Sequence, residues 1–119
     1  MREFVGKVTL INTRRVYYEG DSFIVEAEDR RGQGHKIRVP QVAVEYLRDK
    51  LRAARRLTKR DAEKALAPVA DTLGLHYTRG HHLGWSVQDV LIVLVALGDA
   101  EKTQEGRAFI YTNTSRNGS

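Results

Sequence analysis

The chain has 119 residues, 41% of them hydrophobic and 29% charged, and its 20 Lys and Arg against 15 Asp and Glu leave a net charge of +5. That balance suits one folded domain over residues 1–113 with a flexible tail at 114–119, and it excludes a disordered polyelectrolyte. Without cysteine, the chain has no disulfide scaffold, thiolate zinc site or cysteine nucleophile.

The first forty residues read as strands. Phe4 to Ile11 mixes β-branched and aromatic residues, and Arg15 to Tyr18 continues after a polar break at Asn12 and Thr13. After the turn cluster Glu19-Gly20-Asp21-Ser22, Phe23, Val25 and Ala27 alternate with Ile24, Glu26 and Glu28. A glycine-containing loop from Asp29 to Gly34 leads to His35–Val39, where Ile37 and Val39 oppose Lys36 and Arg38. The expected form is an antiparallel meander with one face in the core.

Pro40 closes the sheet and suits the first position of a helix, where its missing N–H costs nothing. Val44, Leu47, Leu51 and Ala54 then form an apolar stripe at helical spacing. A second helix is expected from Thr58, with Asp61 as its capping partner and Ala62, Ala65, Leu66, Val69, Ala70 and Leu73 inward. Pro68 should kink or split it, and Gly74 should cap it. Leu75 to Arg79 suggests a short strand.

Ser86 and Asp89 mark another helix start, with Trp85 as a hydrophobic staple. Val87 to Leu97 is apolar nearly all round, the pattern of a buried helix, although its valines leave a buried strand as the alternative. Gly98 ends it, and Gly106 to Asn113 reads as a last strand. The expected fold class is α+β: an N-terminal antiparallel β-meander, three to four helices, and a C-terminal strand completing the sheet. The N-terminus lacks the apolar run of a signal peptide, and the longest apolar run, 90–97, is far below the roughly 20 residues of a membrane span. A cytoplasmic protein without a membrane partner is the corresponding expectation.

Charge is concentrated in the middle of the chain. Residues 30–60 carry eleven basic and two acidic side chains, a net of +9, which leaves −4 for the remainder. Such polarity favours a polyanionic partner, nucleic acid above all. Arg48, Arg52, Arg55 and Lys59 are spaced to form one row along a helix that continues to Lys59, with Arg56 and Arg60 beside it. Like charges at this spacing repel, and a phosphate backbone would relieve them. Lys36 and Arg38 on the strand and Arg30 and Arg31 in the loop would extend this surface if strand and helix pack side by side. The bland alternative is a solvated face whose arginines bond to Glu26, Glu28 and Asp29.

Other chemistry is weaker. Residues 70–75 resemble a helix–turn joint, but the following helix offers no polar side chains to base edges, which argues against a helix-turn-helix reader. His35, His76, His81 and His82 lack metal-ligand spacing, so no metal site is expected, and no cofactor either. Glu26 and Glu28 share a strand face and are weak catalytic candidates for a Mg²⁺-dependent nuclease; a salt-bridge ladder is the commoner use of such a pair. One of Tyr17 and Tyr18 should face solvent, where it can stack on an unpaired base or cover the sheet.

No motif is specific enough to name a family. The leading expectation is a non-enzymatic nucleic-acid-binding protein, DNA or RNA, gripping phosphates through the residues of the basic segment. The alternatives are a homodimeric assembly module using the apolar surface of 87–97, and the nuclease.

Overall fold

The computed structural model of the chain describes residues 2–9, 13–28, 34–75 and 83–114. Strands β1 (Arg2–Thr9), β2 (Thr13–Glu19), β3 (Ser22–Glu28) and β4 (Gly34–Pro40) pair in sequence order as an antiparallel meander. Alternation directs Val16, Phe23, Val25 and Val39 into the core. Among the described residues the other face carries no helix: the helices Gln41–Ala54 and Leu83–Leu97 both pack on the side of these core residues.

A register shift between Phe4 and Gly6 decides which way β1 faces. Phe4 pairs with Tyr17 on the open face, whereas Gly6 pairs with Val16 on the buried face. The bulge lets two residues separated by one both sit where they are needed. Gly6 meets the helix Leu83–Leu97 so closely that an added Cβ would lie 2.8 Å from the Ala96 carbonyl oxygen. Gly6→Ala should therefore cost about 1–3 kcal/mol in urea unfolding. Ala96→Gly should not rescue it, because the obstructing atom belongs to the backbone. Wild-type stability in Gly6→Ala would rule out the close approach.

Helix α1 (Gln41–Ala54) begins after Pro40, which is the N-cap and the last residue of β4 rather than the first helical residue. Tyr18 Oη donates to Gln41 Oε1 (2.7 Å), and Gln41 Nε2 donates to Glu45 Oε1 (3.0 Å), tying sheet to helix. Ala43, Val44, Leu47 and Leu51 are buried; Ala54, expected in the stripe, is exposed. The helix stops there. Arg55 adopts the left-handed conformation (φ 71°) and its N–H bonds the Leu51 carbonyl.

The chain then forms β5 (Arg56–Thr58), which pairs with the C-terminal strand, before α2 (Lys59–Leu66) starts at the expected Thr58–Asp61 capping box. Hydrogen bonds from Thr58 hold the Asp61 carboxyl below its usual range. The helix expected to run on to Gly74 with a kink or split at Pro68 stops at Leu66 instead, with Ala67–Val69 a 3-10 turn and residues 70–74 turns. The expected strand at 75–79 lies outside the described residues after Leu75.

Helix α3 (Leu83–Leu97) resolves the helix-or-strand alternative. It begins before Ser86, so Trp85 lies within it, and its side chain is outside those described. Val87 and Val90–Leu94 are buried, enclosed by α1, α2 and both sheets. Burial on all sides overrides the strand preference of its valines.

The end of the chain departs from expectation. Instead of one strand completing the meander, β6 (Ala100–Glu105) and β7 (Ala108–Asn113) form a hairpin. With β5 they make a second sheet in the order β5-β7-β6. Gly106, at positive φ, supplies the backbone that a two-residue hairpin turn requires. Among the described residues no helix is long and apolar enough to cross a membrane.

Candidate nucleic-acid interface

The open face of the four-stranded sheet presents two rows in register. Phe4, Tyr17, Ile24 and Arg38 stand opposite one another across β1 to β4, and Lys7, Arg15, Glu26 and Lys36 form the next row. Phe4 is 60% exposed. Its ring meets that of Tyr17 edge-on, with centroids 5.5 Å apart. The Arg2 guanidinium lies 4.0 Å from the Tyr17 ring centroid. Two aromatic rings thus stand amid cations on an exposed sheet.

Glu26 is the carboxylate at the middle of this surface. It receives a 2.7 Å bond from Arg2 Nη2 and lies 3.6 Å from Lys36 Nζ. The carboxylate raises the Arg2 pKa and organises the guanidinium over Tyr17. Among the described side chains, Arg2, Lys7, Arg15, Lys36 and Arg38 stand against Glu19 and Glu26, so five cations and two anions give a net +3. Glu28 belongs to β3, but its side chain lies outside those described. Among the described residues no group of three or more His, Cys, Asp or Glu could hold a metal ion. His76, His81, His82, Arg30 and Arg31, and the His35 side chain, lie outside the described set.

The helix half of the basic segment is arranged differently from expectation. The row from Arg48 to Lys59 does not run along one helix, because α1 ends at Ala54 and Arg56 enters a strand. The left-handed Arg55 and the pairing of β5 with β7 redirect the chain. Arg48 is partly buried and faces Asp99 at 3.5 Å; Arg52 is half-buried. Arg56 faces Glu105 at 3.4 Å, both well exposed, a pair of small energetic consequence. Lys59 is half-buried, with its charge acting on Asp89 and Lys102. Arg55 and Arg60 are exposed.

Nor do the strand and helix cations share one flat surface. Lys36 and Arg38 project from the face of β4 opposite Val39, whereas α1 packs on the Val39 side. The tyrosine pair divides as alternation requires. Tyr17 stands on the open face, and Tyr18 turns inward against Phe23, with ring centroids 5.0 Å apart. Tyr111 is buried.

Arg2, Phe4, Lys7 and Arg15 were not singled out by sequence, although period-two alternation from Tyr17 across the hairpin reaches Phe4 and Arg15. The bulge at residue 5 hides that register from a linear reading. Comparison of the chain with known protein families, characterised proteins and solved structures finds no match.

Proposed function

We propose that the chain is a nucleic-acid-binding protein whose open sheet face takes a single strand. The observation that carries this reading is the Phe4–Tyr17 pair, Phe4 exposed and Tyr17 half-buried, set among Arg2, Lys7, Arg15, Lys36 and Arg38. Unpaired bases stack on such rings irrespective of sequence, while guanidinium and ammonium groups follow the phosphates. A duplex keeps its base faces covered and gains only the electrostatic part. Lys36 and Arg38 therefore keep their proposed role as phosphate contacts. Arg48, Arg52, Arg55, Arg56, Lys59 and Arg60 add to the positive field that draws a polyanion inward, with the exposed Arg55 and Arg60 as direct contacts for a longer strand.

Binding without cleavage is the reading favoured by Glu26. Its carboxylate already bonds Arg2 and lies beside Lys36, which makes it a brace for the cations. The case for a homodimer rested on apolar surface along 87–97; within one chain Val87 and Val90–Leu94 are buried, with Leu97 exposed at the end. Intrachain packing thus uses most of that surface.

Anisotropy titrations with labelled single-stranded DNA and RNA and with duplexes, across a salt series, test the proposal. About five phosphate contacts predict a slope of log K against log salt near −3.5 for a single strand. Lys36→Glu and Arg38→Glu should each reduce that slope by about 1 and weaken binding alike for different sequences. Duplex binding tighter than single-strand binding, or slopes untouched by both variants, would remove the sheet face as the site.

A further inference from the structure

Both sheets end beside α3. Among the described residues β1 pairs with β2 alone and β6 with β7 alone, so each strand is the edge of its sheet. Both edge strands pack on α3, with Gly6 bringing β1 directly onto Ala96. A groove of about 860 Å³ is lined by residues 7–9 of β1 and 100–104 of β6, with Gln88 and Val95 of α3.

Consecutive residues line both walls. Successive side chains of a strand point to opposite faces, so walls of this kind are strand edges. A sheet edge displays a row of backbone N–H and C=O groups, a ready template for another strand. The wall from β6 is five residues long, or roughly 17 Å at about 3.3 Å per residue. That accommodates a short extended segment.

Charge indicates which segment. Lys7, Arg14 and Lys102 line the groove against Glu101, three cations to one anion. Lys102 Nζ rests 3.9 Å from the Phe109 ring centroid, and among the described residues no carboxylate pairs with it. Burial and the neighbouring Lys59 both oppose its charge, so an incoming carboxylate would relieve an unfavourable arrangement.

We infer that this groove binds an extended acidic segment of a partner protein, which adds a strand between β1 and β6 and joins the two sheets through it. A polypeptide fits better than a nucleic-acid strand, because strand edges offer alternating donors and acceptors at the repeat of another backbone. The site goes beyond the sheet-face reading: Phe4, Tyr17 and Arg38 take no part in the groove, and of the five sheet-face cations Lys7 alone borders both.

The probe is a short, end-blocked, labelled peptide alternating valine with aspartate. It is compared with one alternating valine with lysine and with an acidic peptide carrying proline at alternate positions. The full-length protein should bind the first at least tenfold more tightly than either control, with slowed amide hydrogen exchange along residues 7–9 and 100–104. Lys102→Glu should weaken binding by about tenfold or more, and Lys102→Gln by less. Thermal melts of both variants report whether the fold is retained; Lys102→Gln keeps the test valid if the reversal unfolds the protein. Phe4→Ala and Tyr17→Ala should leave peptide binding unchanged, which separates this site from the nucleic-acid surface. Equal binding of the acidic and basic peptides, equal binding of the proline peptide, protection absent from both strands, or displacement of the peptide by an oligonucleotide that itself protects them would each overturn the inference.

Discussion

Replacing Asp89 with asparagine should raise the stability of the fold above neutral pH and flatten its dependence on pH below it. Asp89 sits on α3 at 6% exposure, and its buried Oδ2 has no hydrogen-bond partner among the described residues. Burial pushes its carboxyl up to about 7, against the opposing pull of Arg14 and then Lys59. In the unfolded chain the same group ionises near 3.9. Between these values the folded state holds a proton that the unfolded state has released.

The sign follows from proton linkage. The neutral acid is accommodated fully below about pH 4; stability then falls as pH rises, until the folded carboxyl itself ionises near pH 7. Three pH units at 1.36 kcal/mol each make the loss roughly 4 kcal/mol. Asparagine cannot ionise, so it escapes this loss. Its amide brings donors close to Arg14 and Lys59, which reduces the gain at pH 8 to about 1–3 kcal/mol. Urea unfolding of both proteins from pH 4 to pH 8 would show curves that diverge as pH rises. Parallel curves would mean that Asp89 is already ionised and satisfied in the fold. Arg14→Gln should act in the opposite direction, removing the larger of the two attractions that help Asp89 ionise.

On the sheet face, Phe4→Ala with Tyr17→Ala should weaken single-strand binding by about 100-fold, on the basis of about 1–3 kcal/mol for each stacked base. Duplex affinity should change far less, since stacking contributes little there. The comparison is clean because Phe4 is largely exposed and Tyr17 is on the open face, so the core residues Val16, Phe23 and Val25 are untouched. Tyr18→Phe is the internal control: it removes the bond to Gln41 Oε1 and should lower stability without lowering affinity. A double alanine variant that still binds single strands like wild type would leave only charge attraction, and the proposed stacking platform would be lost.

Local sequence carries much of this molecule. The meander was legible because Phe23 to Glu28 and His35 to Val39 alternate so that one face is apolar. The same rule sent Lys36 and Arg38 outward and required Tyr17 and Tyr18 to part company. Thr58 and Asp61 announced a helix start with two complementary hydrogen bonds, and Pro68 announced an interruption by lacking a donor. These are short-range constraints, set by side chains within a few residues of one another.

The misread parts depend on distant partners. Residues 56–58 look like a continuation of a cationic helix, yet they form a strand because β7, some fifty residues later, supplies their hydrogen bonds. β6 is a polar stretch, Ala100 to Glu105, with no strand periodicity of its own; pairing with β7 makes it one. The candidate site divides in the same way. Its cations and tyrosine were visible one by one, but their grouping with Phe4 and Arg2 required the bulge at residue 5 and the registers of three strand pairs.

Composition and local pattern thus determined an α+β chain with a cationic middle, a four-stranded meander and a buried apolar element at 87–97, which the structure resolves as part of a helix. Tertiary structure alone decided that Arg48, Arg56 and Lys59 would turn partly toward Asp99, Glu105 and Asp89, while a sheet face without a helix among the described residues gathered rings and charges into one surface. Charge is a property of each residue and can be counted along the chain. Whether a charge is open to a partner depends on what folds against it, and those neighbours come from far away in sequence.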